Sequence, residues 1–117
     1  MQVKEISVNI SVNARHMDVS NAVRQHVEEK VAKLPRFYDN IQTIEVKLDN
    51  EADKSVVEII AHAKKKHTFI AHHRDENLYS SLDMCMEKIT EQLRRHKDKV
   101  RDRQGPTHDE TAEAFKE

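Results

Sequence analysis

Eight histidines and one cysteine are the residues of this 117-residue chain that could bind a metal ion or act in catalysis. His72 and His73 are adjacent in a segment with the pattern of a β-strand, so their side chains point to opposite faces. His62 and His67 also fall on opposite faces of a predicted hairpin. The sequence lacks the Cys-x-x-Cys and His-Glu-x-x-His spacings of zinc sites. We therefore expect no metal site and no cofactor.

The sequence also offers little to nucleophilic catalysis. Cys85 lies on the apolar stripe of the last predicted helix, where a thiol is typically an inert packing group. No Ser/His/Asp spacing stands out, and the single glycine, Gly105, follows that helix. A loop that cradles phosphates is difficult to build without glycine. We expect a protein that is not an enzyme and has no small-molecule substrate.

The basic residues of the last helix form the strongest functional pattern. Residues 88–103 contain seven Lys or Arg against three Asp or Glu. At about 100° per residue, with Leu93 taken as the core direction, the cations form two flanks on either side of an acidic ridge. Since they concentrate beyond Leu93, where the apolar stripe thins, we interpret them as a polyanion-binding surface. One flank has Lys88, Arg95, Lys99 and Arg103, and the other has Arg94, Lys97 and Arg101.

The alternative interpretation of this helix is a solvated surface with ion pairs between successive turns. Further cations elsewhere favour the polyanion site, although each one alone is as well explained by solubility. We expect two of them, Lys30 and Lys33, to form a basic groove with the flank that contains Lys88. With five aromatic residues in the chain, a stacking platform for bases is not expected, so an RNA would be recognised by shape and phosphates. The further cations are Arg24, Lys30 and Lys33 of the first helix, Arg36 at its exit, and Lys64, Lys65 and Lys66 of a hairpin tip.

The net charge of −1 is the sum of a positive charge on one region of the chain and a negative charge on another. Residues 105–117 carry four acidic residues against Lys116, and we expect a disordered acidic tail there. The remaining residues, 1–104, are expected to form one domain with a net positive charge. Charged residues make up 35% of the chain and apolar types 37%, which favours a thin, two-layer domain.

Apolar periodicity predicts the order β-α-β-β-β-α. Each strand has one apolar and one largely polar face, so both helices are expected on one face of a four-stranded sheet, in an α+β fold. The opposite face is expected to be open, with Ile60 and Ile70 on it. Strands are predicted near residues 6–12, 44–48, 56–63 and 67–73, with helices from Ser20 to Leu34, before Pro35, and from residues 75–77 to Gly105.

The cellular setting is predicted from absent signals. No apolar run is long enough to span a bilayer, and the first residues do not resemble a signal peptide. A single cysteine cannot form an intramolecular disulfide. We expect a cytoplasmic protein without a membrane partner.

The chain resembles the short ribosome hibernation promoting factors and ribosome-associated inhibitors of the sigma-54 modulation family. The resemblance covers about residues 8–103, and its specificity comes from the order and spacing of the matches. Matching residues are Arg24, Val27, Lys30, Ala32, Lys33 and Leu34, then Asn77-Leu78-Tyr79, Asp83 and Lys88, and finally Gln92-Leu93 with Arg95-His96-Lys97-Asp98-Lys99.

The resemblance implies a fold similar to double-stranded RNA-binding domains and a role in stationary-phase or stress translation regulation. It implies binding to the 30S subunit and 70S ribosome, on 16S rRNA in the mRNA/tRNA channel, with a separate ribosome modulation factor as a further partner. The implied rRNA contacts are Lys30, Lys33, Lys88, Arg95, Lys97 and Lys99.

Three positions depart from the family pattern. Glu91 stands where a basic residue is frequent, the tip Lys64–Lys66 replaces a glycine-containing one, and Asp75 replaces a glycine before the last helix. A rival hypothesis is a protein-interaction module, in which the open sheet face and the basic helix bind an acidic protein. Association that survives RNase treatment would favour that rival.

Overall fold

A computed structural model describes residues 8–104 of the chain, with side chains up to residue 97. The predicted β-α-β-β-β-α order is confirmed, with two short 3-10 helices at Leu34–Arg36 and Lys64–Lys66. The acidic tail predicted for residues 105–117 lies outside the described residues. The elements are β1 (Asn9–Arg15), α1 (Asn21–Val31), β2 (Ile41–Glu51), β3 (Lys54–Ala63), β4 (Thr68–Asp75) and α2 (Leu78–Gln104).

The four strands form one mixed sheet in the order β1-β2-β3-β4. β1 and β2 are parallel because α1 crosses over between them, and the other pairs are antiparallel hairpins. The register aligns Val12, Val46, Ile59 and Ala71 in one row across the sheet. Since side chains alternate along each strand, this row and its apolar neighbours all face one side.

Both helices pack on that apolar side, as predicted, and within residues 8–104 no element covers the other side of the sheet. α1 lies over β1, and α2 lies over β3 and β4. The core contains Val27 and Val31 of α1 with the stripe of α2, and all of these residues are at most 1% exposed. The stripe consists of Leu82, Cys85, Ile89 and Leu93.

The helix termini follow local capping rules. The Ser20 hydroxyl oxygen accepts from the Val23 amide at 3.2 Å, and the Asn77 side chain accepts from the Tyr79 amide at 2.8 Å. The prediction that the first helix continues to residue 34 is wrong, because α1 ends at Val31. Pro35 has no N–H to donate to the Val31 carbonyl oxygen, and it lies in the first turn of a 3-10 helix, where the missing donor costs little.

None of the helices in the described part of the chain is long and apolar enough to cross a membrane. α2 is nevertheless 27 residues long, and Leu93 is the last fully buried position along its described side chains. From residue 97 the helix continues to Gln104, a rise of about 10 Å at about 1.5 Å per residue.

Candidate nucleic-acid interface

Three chain segments meet at one end of the sheet. They are residues 31–42, which follow α1, residues 62–69 around the hairpin tip, and residues 90–97 of α2. The Lys64 amide donates to the Asn40 carbonyl oxygen at 3.1 Å, and Ile41 pairs with Ala63. The ring of His96 lies 4.6 Å from that of His67. We call these three segments together the basic end.

The basic end has a large excess of positive charge. Its eight Lys and Arg side chains are all exposed, and only Asp39 and Glu91 oppose them. Clustered cations of this kind create a local positive potential that attracts polyanions. The eight are Lys33, Arg36, Lys64, Lys65, Lys66, Arg94, Arg95 and Lys97.

A ring cluster beneath these charges holds the three segments together. His96 packs edge-on against Tyr38 and Phe69, with centroid separations of 5.0 and 5.2 Å. Tyr38 and Phe69 are themselves 5.9 Å apart and nearly buried. Because each ring comes from a different segment, the cluster fixes the relative positions of the cations above it. Sequence reasoning did not find this role of His96, although its spacing from Ile89 and Leu93 places it on the buried side of α2.

The hairpin tip exposes three lysines on a strained backbone. Lys65 has φ 64° and ψ 26°, and Lys66 has φ 65°, so both occupy the left-handed region without being glycine. Each such residue costs about 1–2 kcal/mol. The Ala63 amide, which donates to the His67 carbonyl oxygen at 2.8 Å, closes the tip. Three ammonium groups are thereby presented within one turn.

The flank of α2 that faces α1 is not the expected one. Lys30 Nζ of α1 lies 2.6 Å from Asp83 Oδ1, and the Arg94 guanidinium lies over the ring of Phe37, which follows α1. The flank with Arg94 and Lys97 therefore faces α1. Lys88 is on the opposite flank, where its Nζ donates to the β4 carbonyl of His72 at 3.0 Å.

A basic groove shared by Lys30, Lys33 and the Lys88 flank was therefore a wrong expectation. Ser81 and Cys85 are also fully buried, and at about 100° per residue they lie roughly 120° and 80° to one side of Leu93, so the buried stripe is centred on that side. This brings the Lys88 flank to the edge of β4. Which flank faces α1 is decided by the placement of α2 over β3 and β4 with α1 over β1, and periodicity within α2 does not give that placement.

Several predicted contact residues already have partners inside the domain. Arg24 is half-buried and donates to the Val12 carbonyl, Lys30 pairs with Asp83, and Arg95 Nε lies 3.1 Å from Glu91 Oε2. Their role in binding rRNA stays a prediction, as does that of the exposed cations. Lys99, Arg101 and Arg103 lie in α2, but their side chains are outside the described part.

Neither metal binding nor thiol chemistry is supported by the described residues. No group of three or more His, Cys, Asp or Glu within residues 8–97 is placed to hold a metal ion. The Cys85 thiol is fully buried and donates to the Ala71 carbonyl oxygen at 3.2 Å. Burial raises the pKa of Cys85 to about 12, so the thiol is protonated at neutral pH.

The opposite end of the sheet carries the opposite charge. Residues 15–20, 49–54 and 74–77 contain six acidic residues against three Lys or Arg. The hydrogen bond from His16 to Asp49, at 2.8 Å, holds the pKa of Asp49 below its usual range. α1 and α2 both begin at this acidic end and run toward the basic end, an arrangement that complements the helix dipoles. The domain is therefore electrically polar along its strands.

The fold and its cationic end define a small α+β domain suited to binding a polyanion. Comparison with known proteins shows the family to which the chain belongs. The chain belongs to the family described as Sigma 54 modulation protein / S30EA ribosomal protein, whose sequence profile matches residues 10–101. The family expected from the sequence is thus confirmed.

Named relatives share much of the chain. The ribosome hibernation promoting factor of Azotobacter vinelandii is 30% identical over 97 residues, covering 83% of this chain and 90% of the relative. The ribosome hibernation promotion factor of Bacillus subtilis (strain 168) is 27% identical over 97 residues, covering 80% of this chain. Of that longer relative, the match spans 50%.

Solved structures share the fold. A ribosomal subunit interface protein from Coxiella burnetii has a TM-score of 0.72 at 23% identity, covering 78% of this chain and 99% of that one. The N-terminal domain of Thermus thermophilus Protein Y has a TM-score of 0.68 at 25% identity, covering 76% and 99%. The two-layer α+β architecture is therefore common to all three proteins.

Proposed function

We propose that this chain is a ribosome-associated hibernation factor that binds the 16S rRNA of the small subunit through its basic end. Family membership and the names of the relatives support the ribosomal role. The excess of eight exposed cations over two carboxylates at one end of the domain is the observation that carries the proposal.

The chemistry of the basic end suits phosphates better than bases. Tyr38 and Phe69 are nearly buried in the ring cluster, and Phe37 lies beneath Arg94. Stacking of unpaired bases needs exposed aromatic faces, whereas Lys and Arg bind phosphate oxygens of any sequence. The basic end would therefore recognise the shape and backbone of folded rRNA.

Steric occlusion follows if the rRNA site lies in the mRNA/tRNA channel. A folded domain held there by several phosphate contacts would exclude mRNA and tRNA and keep idle ribosomes inactive. Each contact displaces counterions from the RNA, so affinity should fall steeply with salt.

Co-sedimentation with purified 30S subunits and 70S ribosomes over a salt series tests the rRNA site. The decisive variant carries Lys64→Gln, Lys65→Asn and Lys66→Asn, since Asn tolerates the left-handed region better than most residues. A matched control, Arg15→Gln with Lys54→Gln and Arg74→Gln, removes three cations from the acidic end.

The tip variant should bind more weakly, with a salt slope reduced by about 0.7–0.9 per lost phosphate contact. The control should bind like the natural sequence. A flat salt response, or equal weakening by both variants, would contradict binding through the basic end. Competition by mRNA with tRNA tests the channel, and binding unaffected by them would place the site elsewhere.

The uncovered sheet face supports a second candidate, a protein-interaction module. Ile70 is 50% exposed on that face and lies opposite Ile60. An acidic protein could then bind the basic end while this patch supplies apolar contact. Capture of ribosomal material that is lost on RNase treatment favours the rRNA proposal, whereas a protein partner that survives RNase favours this one.

A further inference from the structure

The outer edge of β4 is covered by two side chains of α2. β4 is the last strand of the sheet that residues 8–104 form, so none of these residues pairs with its outer side as a further strand. Gln92 Nε2 donates to the Ile70 carbonyl oxygen at 2.8 Å, and Lys88 Nζ donates to the His72 carbonyl oxygen at 3.0 Å. Two successive acceptors along this edge are thus already occupied.

The two contacts follow from matched geometry. Residues 88 and 92 are one helical turn apart, a rise of about 6.0 Å. Residues 70 and 72 are two strand positions apart, a distance of about 6.6 Å. Because α2 runs antiparallel to β4, the earlier helix residue meets the later strand residue. The helix thereby supplies donors at the spacing that a fifth strand would use.

The strand behind these donors is well suited to pairing. Its first six residues, Thr-Phe-Ile-Ala-His-His at 68–73, contain no Lys, Arg, Asp or Glu. Such uncharged, β-prone edge segments are templates for strand addition, and lysine is a common means of blocking them. Ile70, 50% exposed on the uncovered face, lies in the middle of the segment.

We propose that the outer edge of β4 is a pairing surface for a second copy of this chain, held closed by Lys88 and Gln92. Antiparallel pairing of two β4 strands about a two-fold axis would bring the two Ile70 side chains side by side on the uncovered face, where they would contact each other. The uncharged segment would meet itself without repulsion. Lys88 opposes this pairing both by occupying an acceptor and by placing like charges across the axis. The proposal is independent of ribosome binding.

The test is sedimentation equilibrium of a variant with Lys88→Met and Gln92→Leu, which removes both donors but keeps helix-forming side chains of similar size. The control variant, Arg94→Met with Lys97→Leu, changes the α1-facing flank instead. We expect the Lys88/Gln92 variant to dimerise with a dissociation constant at least about tenfold below that of the natural chain and the control. Circular dichroism establishes that each variant is folded.

A third substitution identifies the surface. Adding Ile70→Lys to the double variant places a charge in the centre of the paired strands and should restore the monomer. Amide hydrogen exchange should show added protection in β4 of the dimer and unchanged protection in β1. A folded double variant that stays monomeric, or a dimer unaffected by Ile70→Lys, would overturn the proposal.

Discussion

The guanidinium carbon of Arg94 lies 5.4 Å from the centroid of the Phe37 ring, so a cation of α2 rests on the turn that follows α1. Phe37 packs in turn against the edge of the core. The contact joins two of the three segments of the basic end and leaves Arg94 exposed. It links the packing of the helices to the position of a charge.

Replacing Phe37 with leucine should weaken ribosome binding a few-fold without changing any charge, because Arg94 loses the ring that orients it. The lost cation–π contact should also lower the free energy of unfolding by about 0.5–1 kcal/mol. Urea denaturation and co-sedimentation measure the two effects. Tyr79→Leu, near the acidic end of α2, is the control and should leave binding unchanged. Equal binding losses in both variants would contradict the link.

Asp83→Asn tests whether Lys30 is available to rRNA. In the domain Lys30 pairs with Asp83, and the two side chains are 33% and 55% exposed. A pair with this exposure stabilises by at most about 1 kcal/mol, so the variant should remain folded. If Lys30 contacts phosphate, freeing it should strengthen 30S binding at low salt. Unchanged binding by Asp83→Asn would assign Lys30 to the α1–α2 interface alone.

The strained backbone of the tip predicts that one substitution, Lys65→Gly, weakens rRNA binding without lowering stability. Lys65→Gly relieves a left-handed lysine, so it should not lower the melting temperature, whereas it removes one ammonium group and should weaken rRNA binding. Lys64→Gly removes the same charge at a position without positive φ. It should destabilise the fold slightly. Equal melting temperatures for the two variants would contradict the strain at Lys65.

The elevated pKa of Cys85 predicts a thiol that reacts only on unfolding. In the native protein, labelling by a thiol reagent at pH 8 should be slow, since the group is buried and protonated. Denaturant should increase the rate sharply. Rapid labelling under native conditions would show that the thiol is accessible.

The same thiol makes stability depend on alkaline pH. Its pKa is about 12 in the folded protein, whereas the ordinary value for a cysteine thiol is 9.0. Between these values the unfolded chain binds fewer protons, so the contribution to the free energy of unfolding is complete below pH 9 and falls above it. The limiting slope is about 1.4 kcal/mol per pH unit. The stability difference between the natural chain and Cys85→Ala should therefore narrow above pH 9, and a constant difference would contradict the shift.

The alternation of the strands and the apolar stripe of α2 predict that both helices pack on one face of the sheet, because each pattern indicates which side of its own element is buried. The open face around Ile60 and Ile70 and the buried Cys85 both follow from such local periodicity. These features needed no knowledge of how distant segments pack.

The features that sequence reasoning missed depend on contacts between elements. Which flank of α2 faces α1 depends on where the two helices lie on the sheet, and no periodicity within one helix gives that. The left-handed backbone at Lys65 lacks its usual glycine signal. Lys88 looks like any solvent-exposed cation until the register of β4 places a carbonyl oxygen within its reach.

The opposite charges of the two ends give the domain a permanent dipole moment along its strands. In the field of a highly charged surface such a dipole experiences a torque, so the domain would turn its cationic end forward before contact. Most association rate constants are lowered because few encounters have the correct orientation. This torque would raise the fraction of encounters in which the cationic end meets the surface. The gain would be largest when the screening length exceeds the size of the charge clusters, and it would shrink at about 0.15 M salt, where screening acts over roughly 8 Å.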